Sequence, residues 1–389
     1  MAKLRYGMVG GGPGSFIGGA HRTAIRIADS AEIVAGSFSR DYEKTKATGA
    51  ELGIKPERCY ATYTEMAKAE SEREDGIDFV VVVTPNNSHY AACKAFLEHG
   101  INVVCDKPLA LNIPQAEELV ALAEEKKVLF MVTYVYTGHV TAKYIREYIR
   151  NGAIGEVRTV MSEYPQGWLY NENDHGGKQG EWRCDPERSG RVNCLGDLGT
   201  HAENLVHMMT GLTIKRILAR MDVVVPNRVL DDNDQVLIEY SNGATGMQWC
   251  SQFAIGHDNS LKVRIYGSKG TIIWEQEASE HFTLVQENGI SQTIKRGYSN
   301  NIAQDDDHNA KDDPAAKYVR LPAEHNEGYL EAMANLYQSY ISCVCAKKEG
   351  TFTEDMIDFP TVEDGCNSVK FVSACLDSND NGNIWVDIK

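Results

Sequence analysis

The sequence predicts an α/β protein of two domains. A doubly wound parallel sheet comes first, followed by an α/β domain with an open, mostly antiparallel sheet. Three observations carry this. Strand and helix patterns alternate at short spacing from residue 4 to residue 136. One of those strands, Ile77–Thr84, is a continuous apolar run, as expected of a strand covered on both faces. After about residue 140 the strands lengthen and alternate apolar with polar residues, the pattern of a sheet covered on one face.

In the first half, strands are expected at 4–9, 31–38, 77–84, 101–105 and 128–136. Helices are expected at 18–29, 41–52, 88–99 and 113–127, the second and third ended by Gly53 and Gly100. Such alternation gives parallel strands with right-handed crossovers. In the second half a helix at 140–151 ends at Gly152. Strands follow at 156–164, 214–225, 235–240, 245–253, 262–266 and 271–275. Residues 300–318 are polar and read as a surface loop, and 329–345 has the apolar spacing of a closing helix. The boundary is placed between domains 1–137 and 138–389.

Composition narrows the function classes. The chain has 389 residues, more than one core usually serves, and a hydrophobic share of 42%, ordinary for a soluble protein. Its formal net charge of −16 argues against non-specific nucleic-acid binding, which needs a basic face. No apolar run reaches the ~20 residues of a membrane span. Met1–Tyr6 leads straight into a strand with no apolar signal core, so a cytoplasmic location is expected. The ten cysteines contain no C-x-x-C pair, which favours buried thiols over disulfides and gives no metal site.

Ligands of doubly wound sheets bind beyond the carboxyl ends of the strands. Gly10, Gly11 and Gly12 stand there, after a strand and before a helix, where glycines let a backbone approach a pyrophosphate. The strict G-x-G-x-x-G spacing fails because position 15 is Ser. Pro13-Gly14-Ser15 reads as an insertion, with Phe16-Ile17-Gly18 resuming the pattern. A plain strand–helix turn is the bland alternative. At the end of the second strand no acid stands where a ribose 2′-hydroxyl would want one. Ser39 and Arg40 suit a 2′-phosphate, while Asp41 sits one or two residues late, so NAD and NADP both stay open. Thr84-Pro85-Asn86-Asn87-Ser88-His89 closes the valine strand and offers Asn86 to a ribose, or simply a helix cap.

The chemical residues are Lys107, Asp197 and His201. Lys107 follows a buried strand after Asp106, placed to donate to a substrate oxygen or to stand as a surface lysine. Asp197 and His201 are four apart and share one helical face. An imidazole is the natural base for a hydroxyl proton as hydride leaves the same carbon. The alternative is a polar pair with Asp197 capping the helix. The loop before it carries Trp182, Arg183 and Asn193, and Tyr164 and Trp168 end a strand; all five suit a sugar pocket.

Taken together these segments resemble the glucose-fructose oxidoreductase / inositol dehydrogenase (Gfo/Idh/MocA) family. The carrying residues are Val9–Gly12, Thr84–His89, Cys105–Ala110, Gly152–Gly155, Gly196–His201 and Tyr266–Gly270, in family order. Glu324–Tyr329, with His325, resembles members acting on free sugars and cyclitols. The resemblance implies a Rossmann domain followed by the second α/β domain, a nicotinamide cofactor (NAD or NADP), and homodimers or homotetramers. By that resemblance His201 is the general acid/base, and Asp197 and Lys107 position the reacting hydroxyl. The cofactor would lie along Gly10, Gly12, Phe16, Ile17, Ser39, Arg40, Thr84, Pro85, Asn86, His89, Asp106 and Lys107. Two departures stand out: Asp106 replaces the family's usual Glu, and the glycine loop carries its insertion. The expected activity is oxidation of a secondary hydroxyl of a sugar, glycoside or inositol to a ketone. The alternatives are a hydrolase or epimerase that retains its cofactor, or a non-catalytic dinucleotide-binding regulator.

Overall fold

The computed structural model describes residues 3–173, 177–297 and 315–388. The chain divides into two compact units, Met1–Tyr134 with Met333–Val369, and Val135–Ala332 with Lys370–Lys389.

The first unit begins with β1 (Leu4–Gly10), α1 (Phe16–Ala28), β2 (Ala31–Ser37), α2 (Tyr42–Glu51) and α3 (Tyr63–Ser71). It continues with β3 (Phe79–Val83), α4 (His89–Glu98), β4 (Asn102–Cys105), α5 (Ile113–Lys126) and β5 (Phe130–Val132). The five strands run in the order β2-β1-β3-β4-β5 and pair in parallel throughout. β3 is all apolar and wholly buried, as a strand covered on both faces must be. The core gathers Val80, Val82 and Val103 from the sheet with Phe96 and Leu119 from the helices.

The second unit holds α6 (Val140–Arg150), β6 (Val157–Pro165), α7 (Gly177–Arg183), α8 (Pro186–Ser189) and α9 (Thr200–Thr210). Then come β7 (Ile214–Asp222), β8 (Asn233–Tyr240), β9 (Thr245–Ser251), β10 (Lys262–Gly267), β11 (Gly270–Glu275), β12 (His281–Gln286) and β13 (Ser291–Lys295). After them along the chain come α10 (Tyr329–Glu349), α11 (Val362–Asp380) and β14 (Val386–Asp387), of which Met333–Val369 belongs to the first unit. The nine strands run β13-β12-β11-β10-β6-β9-β8-β7-β14, antiparallel except for the β6/β9 pair. β8 alternates buried and open positions residue by residue, as one covered face requires.

Several elements differ from the sequence reading, each for a local reason. α1 starts at Phe16, two residues early, because the Ser15 side chain accepts from Gly18 N and caps it. β7 stops at Asp222 rather than 225, because the Asp232 carboxylate takes the N–H groups of Val224 and Val225 at 2.9 and 2.8 Å. The strand expected at 128–136 is only Phe130–Val132, followed by a 3-10 turn at Val135–Gly138. α3, with a Thr62/Glu65 capping box, was not anticipated, nor were β12, β13, α11 and β14. Of the surface loop read at 300–318, residues 300–314 lie outside the described residues. Ala316–Tyr318 is a 3-10 turn with Tyr318 buried.

The sequence reading kept all of 138–389 in one domain, whereas Met333–Val369 packs with the first unit. Tyr340 of α10 explains the attachment, since its hydroxyl reaches Val103 O and Leu129 O at 3.1 and 3.2 Å. Val132 N also donates to Pro360 O at 2.9 Å, which extends the sheet edge at β5.

One buried ion pair in this unit has a measurable consequence. Arg58 donates Nε to Glu70 Oε1 at 3.0 Å and pairs a second time with Oε2, while Tyr60 donates to the same carboxylate at 2.8 Å. Both side chains are almost wholly buried, at 5% and 0% exposure. Arg58→Met leaves an uncompensated buried carboxylate and is expected to lower stability by about 3–5 kcal/mol. Urea unfolding checks it; a loss below ~1 kcal/mol would show the pair is dispensable.

Candidate active site

The residues singled out from the sequence fall into two clusters, one in each unit. In the first unit, β1 runs into a loop whose Gly10 and Gly11 have φ of 81° and 72°, a region that favours glycine. A Cβ on Gly10 would lie 2.7 Å from Val83 O, and one on Gly12 2.8 Å from Phe38 O. A Cβ on Gly18 would overlap the backbone of Gly11. Gly18 therefore allows the close helix–strand approach that the third glycine of the fingerprint provides, displaced by the inserted Pro13-Gly14-Ser15. Arg22 donates to Gly11 O at 3.0 Å and braces the loop. A glycine cradle at the N-terminus of a 13-residue helix fits a dinucleotide pyrophosphate. Phe16, at the helix start, is exposed, and Ile17 follows it on α1.

Beyond β2, Ser39 is tied to α2 through Thr45 Oγ1, which accepts from Ser39 N at 3.0 Å. Asp41 caps α2 by accepting from Glu43 N at 3.0 Å and Lys44 N at 3.4 Å. The helix cap thus engages the late acid, and Arg40 stands exposed beside it.

Beyond β3, Asn86 is buried in the turn after Pro85. His89 clamps two loops: its Nδ1 meets Pro108 O at 2.7 Å and its Nε2 meets Thr84 O at 2.8 Å. Both ring nitrogens are thus engaged by backbone carbonyls, so the ring shapes the loops that carry Thr84, Pro85 and Lys107. Asp106 Oδ1 accepts from Lys107 N at 2.9 Å and from Thr133 Oγ1 at 3.0 Å. The shorter carboxylate in place of Glu is therefore fixed by its own loop. Lys107 is half-buried and precedes a cis peptide to Pro108.

In the second unit, Asp197 lies in a π turn, Leu195–Gly199, that runs into α9. Thr200 N reaches back to Leu195 O, the wider spacing that makes the turn. The start of the segment is capped from outside. The buried Asp231 carboxylate accepts from Asn193 N at 2.6 Å and Leu195 N at 2.7 Å. Asp197 is thus not the helix cap. Its Oδ2 accepts from Arg183 Nε at 3.0 Å and Gln252 Nε2 at 3.2 Å. Gln252 in turn accepts from Asn193 Nδ2 at 2.6 Å. Arg183 and Asn193, read from the sequence as sugar contacts, are placed here as supports of the carboxylate. Arg183 also lies over the Trp182 and Trp168 rings, at 4.4 and 5.9 Å.

His201, one turn on from Asp197, is buried with its ring against those of Tyr136 and Tyr164, at centroid distances of 4.9 and 6.3 Å. Tyr136 and Tyr164 hydrogen-bond through their hydroxyls. Tyr164 donates to Asn259 Oδ1 at 2.6 Å, as does Gln166 Nε2 at 2.7 Å. Trp168 Nε1 donates to Gln166 Oε1 at 2.8 Å. Burial raises both phenols above their ordinary range, Tyr164 the further, so they stay neutral donors. Tyr136, Asn259, Gln252 and Asp231 were not singled out from the sequence. His325 lies on an exposed turn held from below by buried Glu327, which accepts from Arg296 Nη1 at 3.0 Å and Leu321 N at 2.7 Å.

A glycine cradle at the end of β1 of a parallel sheet fits a dinucleotide-binding protein, and the class is an oxidoreductase. The comparisons with known proteins agree. Residues 4–134 match the model of an oxidoreductase family with an NAD-binding Rossmann fold, and 142–273 match the GFO/IDH/MocA C-terminal domain. The chain belongs to the GFO/IDH/MocA oxidoreductase family. It is 35% identical over 393 residues to the uncharacterized oxidoreductase YfiI of Bacillus subtilis, covering 99% of this chain and 97% of that one. An inositol dehydrogenase homolog from Azotobacter vinelandii, solved with NAD+, superposes with a TM-score of 0.92 at 33% identity, over 99% and 97% of the two chains. The same homolog with NADH and myo-inositol gives 0.90 at 32%, over 99% and 98%. No helix among the described residues is long and apolar enough to cross a membrane.

Proposed function

We propose that the protein oxidises a secondary hydroxyl of an inositol, sugar or glycoside to a ketone. The supporting observation is His201, buried against two neutral phenols and one turn from a carboxylate held in place by Arg183 and Gln252. When bound, the dinucleotide supplies the hydride acceptor. His201 takes the hydroxyl proton, Asp197 holds the hydroxyl-bearing substrate, and Lys107 favours the developing alkoxide by its charge. Tyr164, Trp168, Trp182 and His325 shape the sugar end. The myo-inositol bound by the Azotobacter homolog supports a neutral cyclic polyol as substrate.

NAD is the proposed cofactor, on the strength of the relatives solved with it. Arg40, exposed beyond β2, is the residue that would admit a 2′-phosphate. Arg40→Ala is expected to lower kcat/KM with NADP by about ten-fold or more, as loss of a charge-assisted bond does, and to leave NAD turnover nearly unchanged. Equal NADP kinetics before and after would remove Arg40 from the pocket. A cytoplasmic location is proposed for the enzyme, from the cysteine spacing of the sequence. Assembly as a homodimer or homotetramer is proposed with it, from the family resemblance, and light scattering tests it.

The deciding assay is the appearance of reduced nicotinamide with a panel of inositols, hexoses and glycosides, using NAD and NADP in parallel. Turnover with one polyol carries the proposal. Silence across the panel despite cofactor binding would replace it with an enzyme that keeps its cofactor, or with a regulator.

A further inference from the structure

Cys194, Asp234 and Cys250 meet inside the second unit and include none of the residues assigned to the reaction. All three are fully buried, and one ligand atom from each lies within 4.8 Å of the others. The sheet register builds most of the cluster. Asp234 on β8 stands directly opposite Cys250 on β9, so their side chains share a face. Cys250 Sγ lies 3.5 Å from Asp234 Oδ2. Cys194 comes from the segment that opens the π turn, and its own N–H is tied to Asp231 O at 3.2 Å.

Two features of this cluster ask for a cation. Asp234 Oδ1 is buried and accepts from no N–H group, and the side chains Asp234 meets are the Asp231 carboxyl and the Cys194 and Cys250 thiols. The groups around it are acidic too: Asp231 borders Asp234, and Cys375 of α11, also fully buried, is within electrostatic reach of Asp234 and Cys250. Asp234 makes no ion pair with a basic side chain among the described residues. Two soft sulfurs and one carboxylate are the donor set of a thiophilic divalent ion, zinc above all. Neighbouring ligands on a tetrahedral zinc stand about 3.3–3.8 Å apart, so the Cys250–Asp234 spacing already fits and the remainder needs a contraction of about 1 Å.

We propose that Cys194, Asp234 and Cys250 form a structural zinc site at the base of the segment that carries Asp197 and His201. Asp231, holding the N–H groups of Asn193 and Leu195, is the outer support that orients the Cys194 ligand. The ion would pin the π turn to β8 and β9, and so fix Asp197 against Gln252. Because every ligand is buried, the metal must enter as the chain folds.

The test uses the full chain, produced in zinc-supplemented medium with any affinity tag removed. Elemental analysis is expected to find about one zinc per chain, as a three- or four-ligand buried site retains. Cys250→Ala should lose it, while Cys59→Ala, a buried thiol of the first unit, should keep it. Protein produced in cobalt-supplemented medium should show thiolate-to-cobalt charge-transfer bands in the near ultraviolet. That spectrum of the unaltered chain decides the matter if the variants do not fold. Trace metal with no cobalt bands overturns the proposal, as does zinc retained by Cys250→Ala. Thiol titration of denatured protein that finds two fewer than the ten cysteines, with no metal, assigns a Cys194–Cys250 disulfide instead and equally overturns it.

Discussion

His201→Ala is expected to lower kcat by about 10²–10⁴ while leaving dinucleotide affinity unchanged, the loss that follows when a positioned base is removed. The two halves of that expectation come from different parts of the chain. Cofactor binding is proposed for the glycine cradle of the first unit, whose close backbone approaches involve Gly10, Gly12 and Gly18. Proton transfer is proposed for the imidazole packed against Tyr136 and Tyr164. Truncating the ring also leaves a cavity beside two aromatic rings, so fold loss must be separated from base loss. His201→Asn keeps a polar side chain of similar reach and should fold, yet it cannot act as a base near neutral pH. If both variants bind NAD normally and lose turnover, the base assignment stands. Near-normal turnover in either one, with the true substrate, would sink it. Asp197→Asn gives the complementary reading. It keeps the shape but weakens the contact from Arg183, so a rise in KM alongside a fall in kcat would mark Asp197 as a substrate holder.

Local signals made much of this legible in the sequence. The continuous apolar β3 and the short strand–helix spacing required a parallel sheet, and the sheet is parallel in every pair. The displaced third glycine was visible as a resumed pattern at Phe16-Ile17-Gly18, and Gly18 does pack on Gly11. The i, i+4 spacing of Asp197 and His201 reads as one helix, whereas Asp197 stands in the π turn that precedes α9. What escaped depends on contacts distant in sequence. Asp231 caps a segment nearly forty residues earlier. Gln252 reaches Asp197 only because β9 ends beside the π turn. Tyr136 and Asn259 are 123 residues apart and bond directly, Asn259 Nδ2 donating to the Tyr136 hydroxyl at 3.1 Å, with Tyr164 bonded to Asn259 as well. Neither pattern nor propensity at those positions announces a partner. The return of α10 to the first sheet is the same kind of fact, settled by where one tyrosine hydroxyl finds two carbonyls.

Acid is expected to destabilise the protein through two buried histidines, one in each unit. His21 of α1, hydrogen-bonded through Nδ1 to Tyr337 at 2.6 Å, and His139, stacked on Tyr136, are each pushed down to about 4 by burial. Asp106 opposes the shift at His21 without reversing it. In the unfolded chain each ring takes up its proton near the ordinary value of 6.5. Between those two values the unfolded state holds more protons, so stability falls as pH drops from about 6.5 towards 4. Each histidine is worth about 3 kcal/mol over the full interval, and the pair about 6 kcal/mol. Asp231 and Asp232 act in the opposite sense. Burial raises their carboxyls in the folded state, so protonation on the way to acid favours the fold. The histidines therefore have to be read by difference. His139→Phe keeps an aromatic ring on Tyr136 and removes a buried Nε2 that has no hydrogen-bond partner. Urea midpoints at pH 7 and pH 4.5 should fall less in this variant than in the unaltered chain, by about 2–3 kcal/mol of stability. Parallel falls would mean that His139 titrates in the fold as it does in the open chain, and that its burial is relieved before the ring charges.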